Sequence, residues 1–406
     1  MFVHEVCGSW IDHPFWKSSF KLDDARQLRQ LQSSKVAAVI IDTRRGLDVL
    51  VPTVVAAQDV SDSRPPTDAQ PPFVEVEGEP ALALARAAPL RANFEDELDR
   101  AHRIVSQARG AMKTMFQDAR MGKAIDAEHC LPVVEEITQS VARNPGAIVS
   151  LARLKTSDDY TYMHSVAVCA LMVSLSHQLQ LNESDTHEAG MAGLVHDLGK
   201  SAMPLEVLNK PGKLTETEFA IMRSHPEAGH RMLLEAKGVG PIPMDVCLHH
   251  HEKVNGLGYP HRLKGEEITL FSRMGAVCDV YDAITSNRPY KSGWDPSESI
   301  QKMAQWSREG HFDERIFQAF VRSIGIYPTG SLVKLQSGRL AVVVDQSPTS
   351  LLTPIVKAFF STKANEPITP ELIDLAHSHE QIVSREVPAT WGFKNLDQIW
   401  MPATTA

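Results

Sequence analysis

Apolar residues recur at helical spacing through much of this chain's second half. Runs at 131–142, 165–181, 187–198, 215–224, 228–236, 241–250, 268–286, 297–306 and 314–324 are punctuated by Gly and Pro, which predicts helix after helix across residues 126–325. Thr215 with Glu218 three residues on is a capping box that opens one of them. Ahead of this block, Leu98, Ile104, Val105, Ala108, Met112 and Met115 form one apolar face among charges, predicting a helix from Phe94 to Arg120 within a connecting segment 93–125. Such a helix can join two domains or pair with its copy in a homodimer.

The pattern changes at both ends. Leu22, Ala25, Leu28 and Leu31 fall at helical spacing around Asp23-Asp24, and Val36–Ile41 reads as a buried strand. Residues 1–58 therefore predict a small α+β domain. From 59 to 92 the composition shifts, with Pro65-Pro66, Pro71-Pro72, Pro80 and Pro89 among Ala, Asp, Glu and Ser, which predicts an extended linker. After Pro328, Leu332–Leu335, a turn at Ser337-Gly338 and Leu340–Val344 predict a β-hairpin, and the rest of 326–406 is a mixed tail. The expected fold class is mainly α.

Composition narrows the function classes. With 43% hydrophobic and 22% charged residues the chain is globular, which excludes wholesale disorder and a coiled coil. Lys+Arg 41 against Asp+Glu 50 gives −9 with no long basic block, so general DNA, RNA or membrane-surface binding is not expected. Any positive charge for a phosphate ligand must be local. Five scattered cysteines (Cys7, Cys130, Cys169, Cys247, Cys278) without a C-x-x-C pair point to a reducing compartment. No apolar stretch approaches the ~18–20 residues that span a bilayer. His4, Glu5 and Asp12 stand where a secretion signal would be basic and then apolar. A cytoplasmic protein without membrane insertion is expected.

The candidate chemistry lies in the helical block. His164, His196-Asp197, His225, His249-His250-His251-Glu252 and Asp279 each fall on or at the end of an apolar helix. Singly, each has an ordinary reading: a hydrogen-bonded core histidine, loop punctuation before Pro226, a solvated helix end, exposed acids at Asp279 and Asp282. Together, buried groups of this kind need a common partner. Imidazole and carboxylate suit Fe, Mn, Ni or Zn.

His196-Asp197-Leu198-Gly199-Lys200 resembles the H-D-x-G-K element of the HD-domain metal phosphohydrolases. His250-His251-Glu252 followed by Gly256-Leu257-Gly258-Tyr259-Pro260 is similar to the H-H-E…G-x-G-Y-P element of the HD-GYP family. Asp279-Val280-Tyr281-Asp282-Ala283, Arg288-Pro289-Tyr290-Lys291, Asp158-x-Tyr160-Thr161 with His164-Ser165, and Asn209-Lys210-Pro211 fit the same family. The resemblance spans about 150–325. Residues 1–58, with Trp10–Phe15 and Ile41-Asp42-Thr43, resemble an uncharacterised domain often found ahead of HD-GYP domains.

The resemblance implies an all-helical HD-type domain that hydrolyses the bacterial second messenger cyclic di-GMP to pGpG, with GMP as the alternative end product, by in-line attack of a metal-bridging hydroxide. In that reading His164, His196, Asp197 and Asp279 hold one divalent metal, and His225, His250 and His251 a second, with Asp197 bridging. Fe or Mn is expected, with Ni, Co or Zn as alternatives. Some family members recruit a third metal through a Glu four residues before the first histidine; here that position is Tyr160, a poor ligand at neutral pH, so two metals are expected, with Asp158 the remaining candidate. Counting back from Gly258-Tyr259-Pro260 selects His250 and His251 and leaves His249 spare.

Lys200 would bind a phosphate oxygen or assist the leaving 3′-oxygen, unless it is a plain helix-end lysine. Arg288 and Lys291 would grip ligand phosphates, unless they are solvated loop cations. Tyr259 would either stack on guanine or hold its loop against the helices. The resemblance also makes the Gly-Tyr-Pro loop a docking surface for GGDEF-type diguanylate cyclases. The competing readings are an HD phosphohydrolase for another cyclic dinucleotide or nucleotide, and a non-catalytic cyclic di-GMP sensor or scaffold.

Overall fold

A computed structural model of the chain describes residues 2–7, 20–21, 38–41, 92–153, 160–286, 293–347, 350–393 and 396–401. The chain divides into two units, Met1–Arg86 and Ala87–Ala406. In the first, β1 (Phe2–Cys7), β2 (Phe20–Lys21) and β3 (Ala38–Ile41) form an antiparallel sheet in the order β2-β1-β3. β3 falls within the strand expected at 36–41. The helical spacing at Leu22–Leu31 and residues 59–91 of the expected linker lie outside the described residues.

The second unit begins with α1 (Phe94–Arg120), followed by α2 (Leu131–Arg143), α3 (Pro145–Arg153), α4 (Tyr160–Gln178) and α5 (Glu183–Val195). Every residue of α4 from Met163 to Ser176 is buried. A helix apolar on all sides belongs in the middle of a core, and α1, α2, α3 and α5 pack around this one. Phe94, Leu98, Ala101, Ile104, Ala108, Met112 and Met115 of α1 are buried in that core. The helix expected to connect domains or to pair in a dimer therefore has its apolar face covered by its own chain.

One acid interrupts that face. Glu97 is fully buried, and both its oxygens are satisfied: Arg143 donates from Nε at 2.7 Å and from Nη2 at 2.8 Å, and Ser140 donates its hydroxyl at 2.8 Å. A bidentate guanidinium makes a buried carboxylate tolerable and ties α1 to α2. Burial pushes the Glu97 carboxyl up, but the Arg143 and Ser140 hydrogen bonds outweigh it and hold it below the usual range.

Next along the chain come α6 (Leu205–Leu208), α7 (Glu216–Met222), α8 (His225–Leu234), α9 (Pro241–His249), α10 (Leu270–Thr285), α11 (Pro296–Arg308) and α12 (Glu314–Ile324). The expected capping box is present: Thr215 Oγ1 accepts from the Glu218 amide while Glu218 accepts from the Thr215 amide. Helix α3 was not foreseen. Pro145-Gly146 reads as a break, but proline is tolerated in the first turn of a helix.

The expected hairpin is β4 (Leu332–Leu335) against β5 (Arg339–Asp345), pairing Leu332 with Val342 and Lys334 with Leu340. It continues into an antiparallel sheet of order β7-β6-β5-β4-β8, with β6 (Ile355–Ser361), β7 (Glu366–Asp374) and β8 (Ile382–Arg385). Along β5, Leu340, Val342 and Val344 face the helical core, while Ala341 and Val343 face a second core with Val333 and Leu335. A helix α13 (Asp397–Trp400) packs Trp400 edge-on against Phe94.

Candidate metal centre

Three helices and two turns deliver the chemistry-bearing side chains. His164 lies in the second turn of α4, Asp279 in α10, and His196-Asp197 where α5 ends and a 3-10 turn, Leu198–Ala202, begins. His250 and His251 follow the last residue of α9. His225 is the first residue of α8, with Pro226 in its first turn, so it is not loop punctuation.

The close approach of α8 to the His196-Asp197 turn depends on Gly199. A Cβ there would stand 1.9 Å from the His225 carbonyl oxygen and 2.5 Å from the Gly229 amide nitrogen. The loop after His251 is folded back as tightly: a Cβ on Gly258 would meet the Lys253 nitrogen at 2.4 Å. Buried Glu252 anchors that loop by accepting from the amides of His261 at 2.7 Å and Leu263 at 3.1 Å.

All seven expected groups converge, in two sets. One is His164, His196 and Asp279; the other is Asp197, His225, His250 and His251. Six are buried and His251 is about a fifth exposed, its side chain at 22%. Asp197 faces both sets. Its Oδ2 lies 3.4 Å from Nε2 of His164 and of His196, and its Oδ1 lies 3.2 Å from His225 Nε2 and 3.7 Å from His250 Nε2. His164 Nε2 is 2.9 Å from Asp279 Oδ1, and Asp279 Oδ2 is 3.8 Å from His251 Nδ1.

The tautomers follow from what the outer nitrogens touch. His196 Nδ1 faces the Gly193 carbonyl at 2.7 Å, His225 Nδ1 the Met222 carbonyl at 2.8 Å, and His250 Nδ1 the Val246 carbonyl at 3.0 Å. A carbonyl oxygen only accepts, so each Nδ1 carries the proton and each neutral ring turns an Nε2 lone pair inward. His164 Nδ1 is held at 2.6 Å by Asp282 Oδ2. Nε2 atoms then face one another across 3.3 Å (His164, His196) and 3.4 Å (His225, His250). Lone pairs at that separation repel unless a cation lies between them. Donors bonded to one cation at ~2.1 Å sit roughly 3.0–3.4 Å apart, the spacing observed. Buried Asp197 Oδ1, moreover, has no hydrogen-bond donor of its own. The donor set fits two cations.

The protein's own charges already show the demand for positive charge. Burial would push His164 down, but the carboxylates of Asp197, Asp279 and Asp282 raise it to about 10. Burial likewise opposes Asp197 ionising, and Lys200 with the imidazoles of His196 and His164 outweighs it, holding the carboxyl well below its usual range. His251 is pushed the other way, to about 3, by burial and by His225 and Lys200. The acids favour positive charge beside them and the outer imidazoles favour their neutral form; a bound metal ion would supply that charge and use those free lone pairs.

Lys200 pairs directly with Asp197 Oδ2, so it is not a solvated helix-end lysine. His249, the expected spare, turns away: its Nδ1 meets Asp245 at 2.8 Å and its Nε2 meets His261 at 3.0 Å. Tyr259 stacks on His251 with ring centroids 4.7 Å apart, and the Arg223 guanidinium lies 4.6 Å from its centroid, an arrangement that holds the loop against the helices. Tyr160 lies parallel to His164, centroids 6.0 Å apart. Asp158, Arg288 and Lys291 lie outside the described residues. No role in the site was expected for Asp282 or Arg223. The signal for Asp282 is its i,i+3 spacing from Asp279, which puts both acids on one face of α10.

Comparison with known proteins agrees with this geometry. The family model for the HD domain matches residues 137–316, and a domain of unknown function, DUF3391, matches residues 1–130. A cyclic di-GMP phosphodiesterase of Pseudomonas aeruginosa is 50% identical over 403 residues, covering 98% of this chain and 92% of that protein. A cyclic di-GMP phosphodiesterase response regulator of Xanthomonas campestris is 40% identical over 153 residues, 36% of this chain and 39% of its own length. A 3′3′-cGAMP-specific phosphodiesterase of Vibrio cholerae is 31% identical over 222 residues, 55% of this chain and 47% of its own. Fold and site define an HD-type metal-dependent phosphohydrolase. The chain belongs to the HD-GYP family within that class, with an uncharacterised N-terminal domain ahead of the HD domain. Among the described residues no helix is long and apolar enough to cross a membrane.

Proposed function

We propose that this chain opens cyclic di-GMP to linear pGpG. His164, His196 and Asp279 would hold one divalent cation and His225, His250 and His251 a second, with Asp197 serving both sets. Fe or Mn suits these donors, with Ni, Co or Zn as substitutes. The observation that carries the reading is the division of Asp197 between two sets of inward lone pairs. Such a pair of cations makes water acidic enough to attack at neutral pH and neutralises charge on a phosphoryl group.

The chain's own residues do the rest. The carbonyl-anchored imidazoles keep their lone pairs aimed without reorganisation. Lys200, already beside Asp197, is placed to meet a phosphoryl oxygen or the departing 3′-oxygen once cations share the Asp197 charge. Water adds to phosphorus, the bond from phosphorus to the 3′-oxygen breaks, and that oxygen takes up a proton. Arg288 and Lys291 follow α10 in sequence and supply further cations for ligand phosphates. Leu257, 76% exposed at the tip of the Gly-Tyr-Pro loop, supports that loop as a docking surface for GGDEF-type cyclases.

The test is product analysis with the metal-loaded chain on cyclic di-GMP, 3′3′-cGAMP and dGTP side by side. Preferred conversion of cyclic di-GMP to pGpG is expected. Preference for 3′3′-cGAMP would change the substrate, and tight binding without cleavage would make the chain a sensor. Asp282→Ala is expected to weaken metal binding about 10- to 100-fold by releasing the His164 ring, which a metal titration reads directly.

A further inference from the structure

Arg223 stands two residues before His225, where α7 ends, and is half-buried. Its guanidinium lies 4.6 Å from the Tyr259 ring centroid and 5.9 Å from that of Phe219. Tyr259 in turn stacks on His251. Stacking fixes the plane of a guanidinium while leaving its N–H donors unspent. Among the described residues no carboxylate or carbonyl accepts from it. By contrast, Arg143 is spent on Glu97, Arg273 on Asp313 and Lys200 on Asp197. In a chain with 50 acidic and 41 basic residues, a half-buried arginine propped on rings beside the centre and left without an anion is set up to receive one.

We propose that Arg223 binds the second, non-scissile phosphodiester of a cyclic dinucleotide. The inference rests on the proposed phosphodiesterase reading and extends it to a residue outside the metal-holding set. A phosphodiester under attack must lie at Asp197 and Lys200. Arg223 sits two stacked layers further out, past His251 and Tyr259, which places its fork on a different group of the same ligand. A cyclic dinucleotide carries two phosphodiesters on one macrocycle, so seating one at the centre brings the other within reach of the rim. The planar fork matches phosphate oxygens bidentately. Tyr259 is then the platform that aims the arginine.

The experiment compares Arg223→Ala and Arg223→Lys in the full-length, metal-loaded chain, using cyclic di-GMP and bis(p-nitrophenyl) phosphate, which has a single phosphodiester. Arg223→Ala is expected to raise KM for cyclic di-GMP about 10- to 100-fold. Metal content should be retained, kcat should fall far less than KM rises, and the loss on the small diester should be much smaller. Arg223→Lys should recover part of the affinity by restoring charge without the fork. An unchanged KM for cyclic di-GMP would overturn the proposal. So would equal losses on both substrates together with lost metal, since Arg223 would then only prop Tyr259 and His225. A wild-type chain that cleaves the small diester but not cyclic di-GMP would sink the substrate reading, and this proposal with it.

Discussion

Asp197→Ala is expected to lower turnover of cyclic di-GMP by about 10³-fold or more and to empty both cation positions. Each of the other six groups serves one set, but Asp197 serves two: Oδ2 faces His164 and His196, and Oδ1 faces His225 and His250. Without it the second set is left with imidazoles alone, and the first loses one of two carboxylates. Stabilisation of phosphoryl charge by a metal is worth several kcal/mol, and ~4 kcal/mol in a barrier is roughly 10³-fold in rate. Metal analysis and turnover, measured on the same preparation, check both halves. The fold should persist, because the substitution also removes a buried negative charge. Retained metal with retained activity would remove Asp197 from its bridging role.

Gly199→Ala is expected to produce the largest loss of stability of any single methyl addition near the site. The added carbon would meet backbone on both sides, the His225 oxygen at 1.9 Å and the Gly229 nitrogen at 2.5 Å. A side chain can rotate away from such a clash, whereas here α8 itself must move. Overpacking of this kind costs about 3 kcal/mol or more, read as a fall in melting temperature of roughly 5 °C or more. Because His225 opens α8, metal affinity should fall with it. A melting temperature unchanged within about 2 °C, with full metal content, would show that α8 has slack that the packing does not suggest.

Much of the helical block was legible because its helices carry continuous apolar faces broken by Gly and Pro, and the capping box at Thr215 marked one start to the residue. The site was legible for a different reason. Each of the seven imidazoles and carboxylates has an ordinary reading by itself, but seven of them in this order on apolar helices pointed to a common partner before any distance was known. What the sequence concealed was supporting structure. Glu97 looked like one more charge on α1, and only the fold shows Arg143 and Ser140 waiting for it. Strand β7 was hidden because it carries Pro367 and Pro370; proline argues against a central strand, yet at the sheet's edge it is tolerated. Arg223 gave no signal at all, since its meaning lies in Tyr259, which the chain brings beside it only on folding.

Anomalous X-ray scattering from crystals of the wild-type chain, with the metals quantified in the same sample, bears most directly on the bridging role of Asp197. Two cations about 3.5–4 Å apart, one bonded to each Asp197 oxygen and ringed by the two histidine sets, is the predicted result. A single cation, or cations bound away from Asp197, would contradict it.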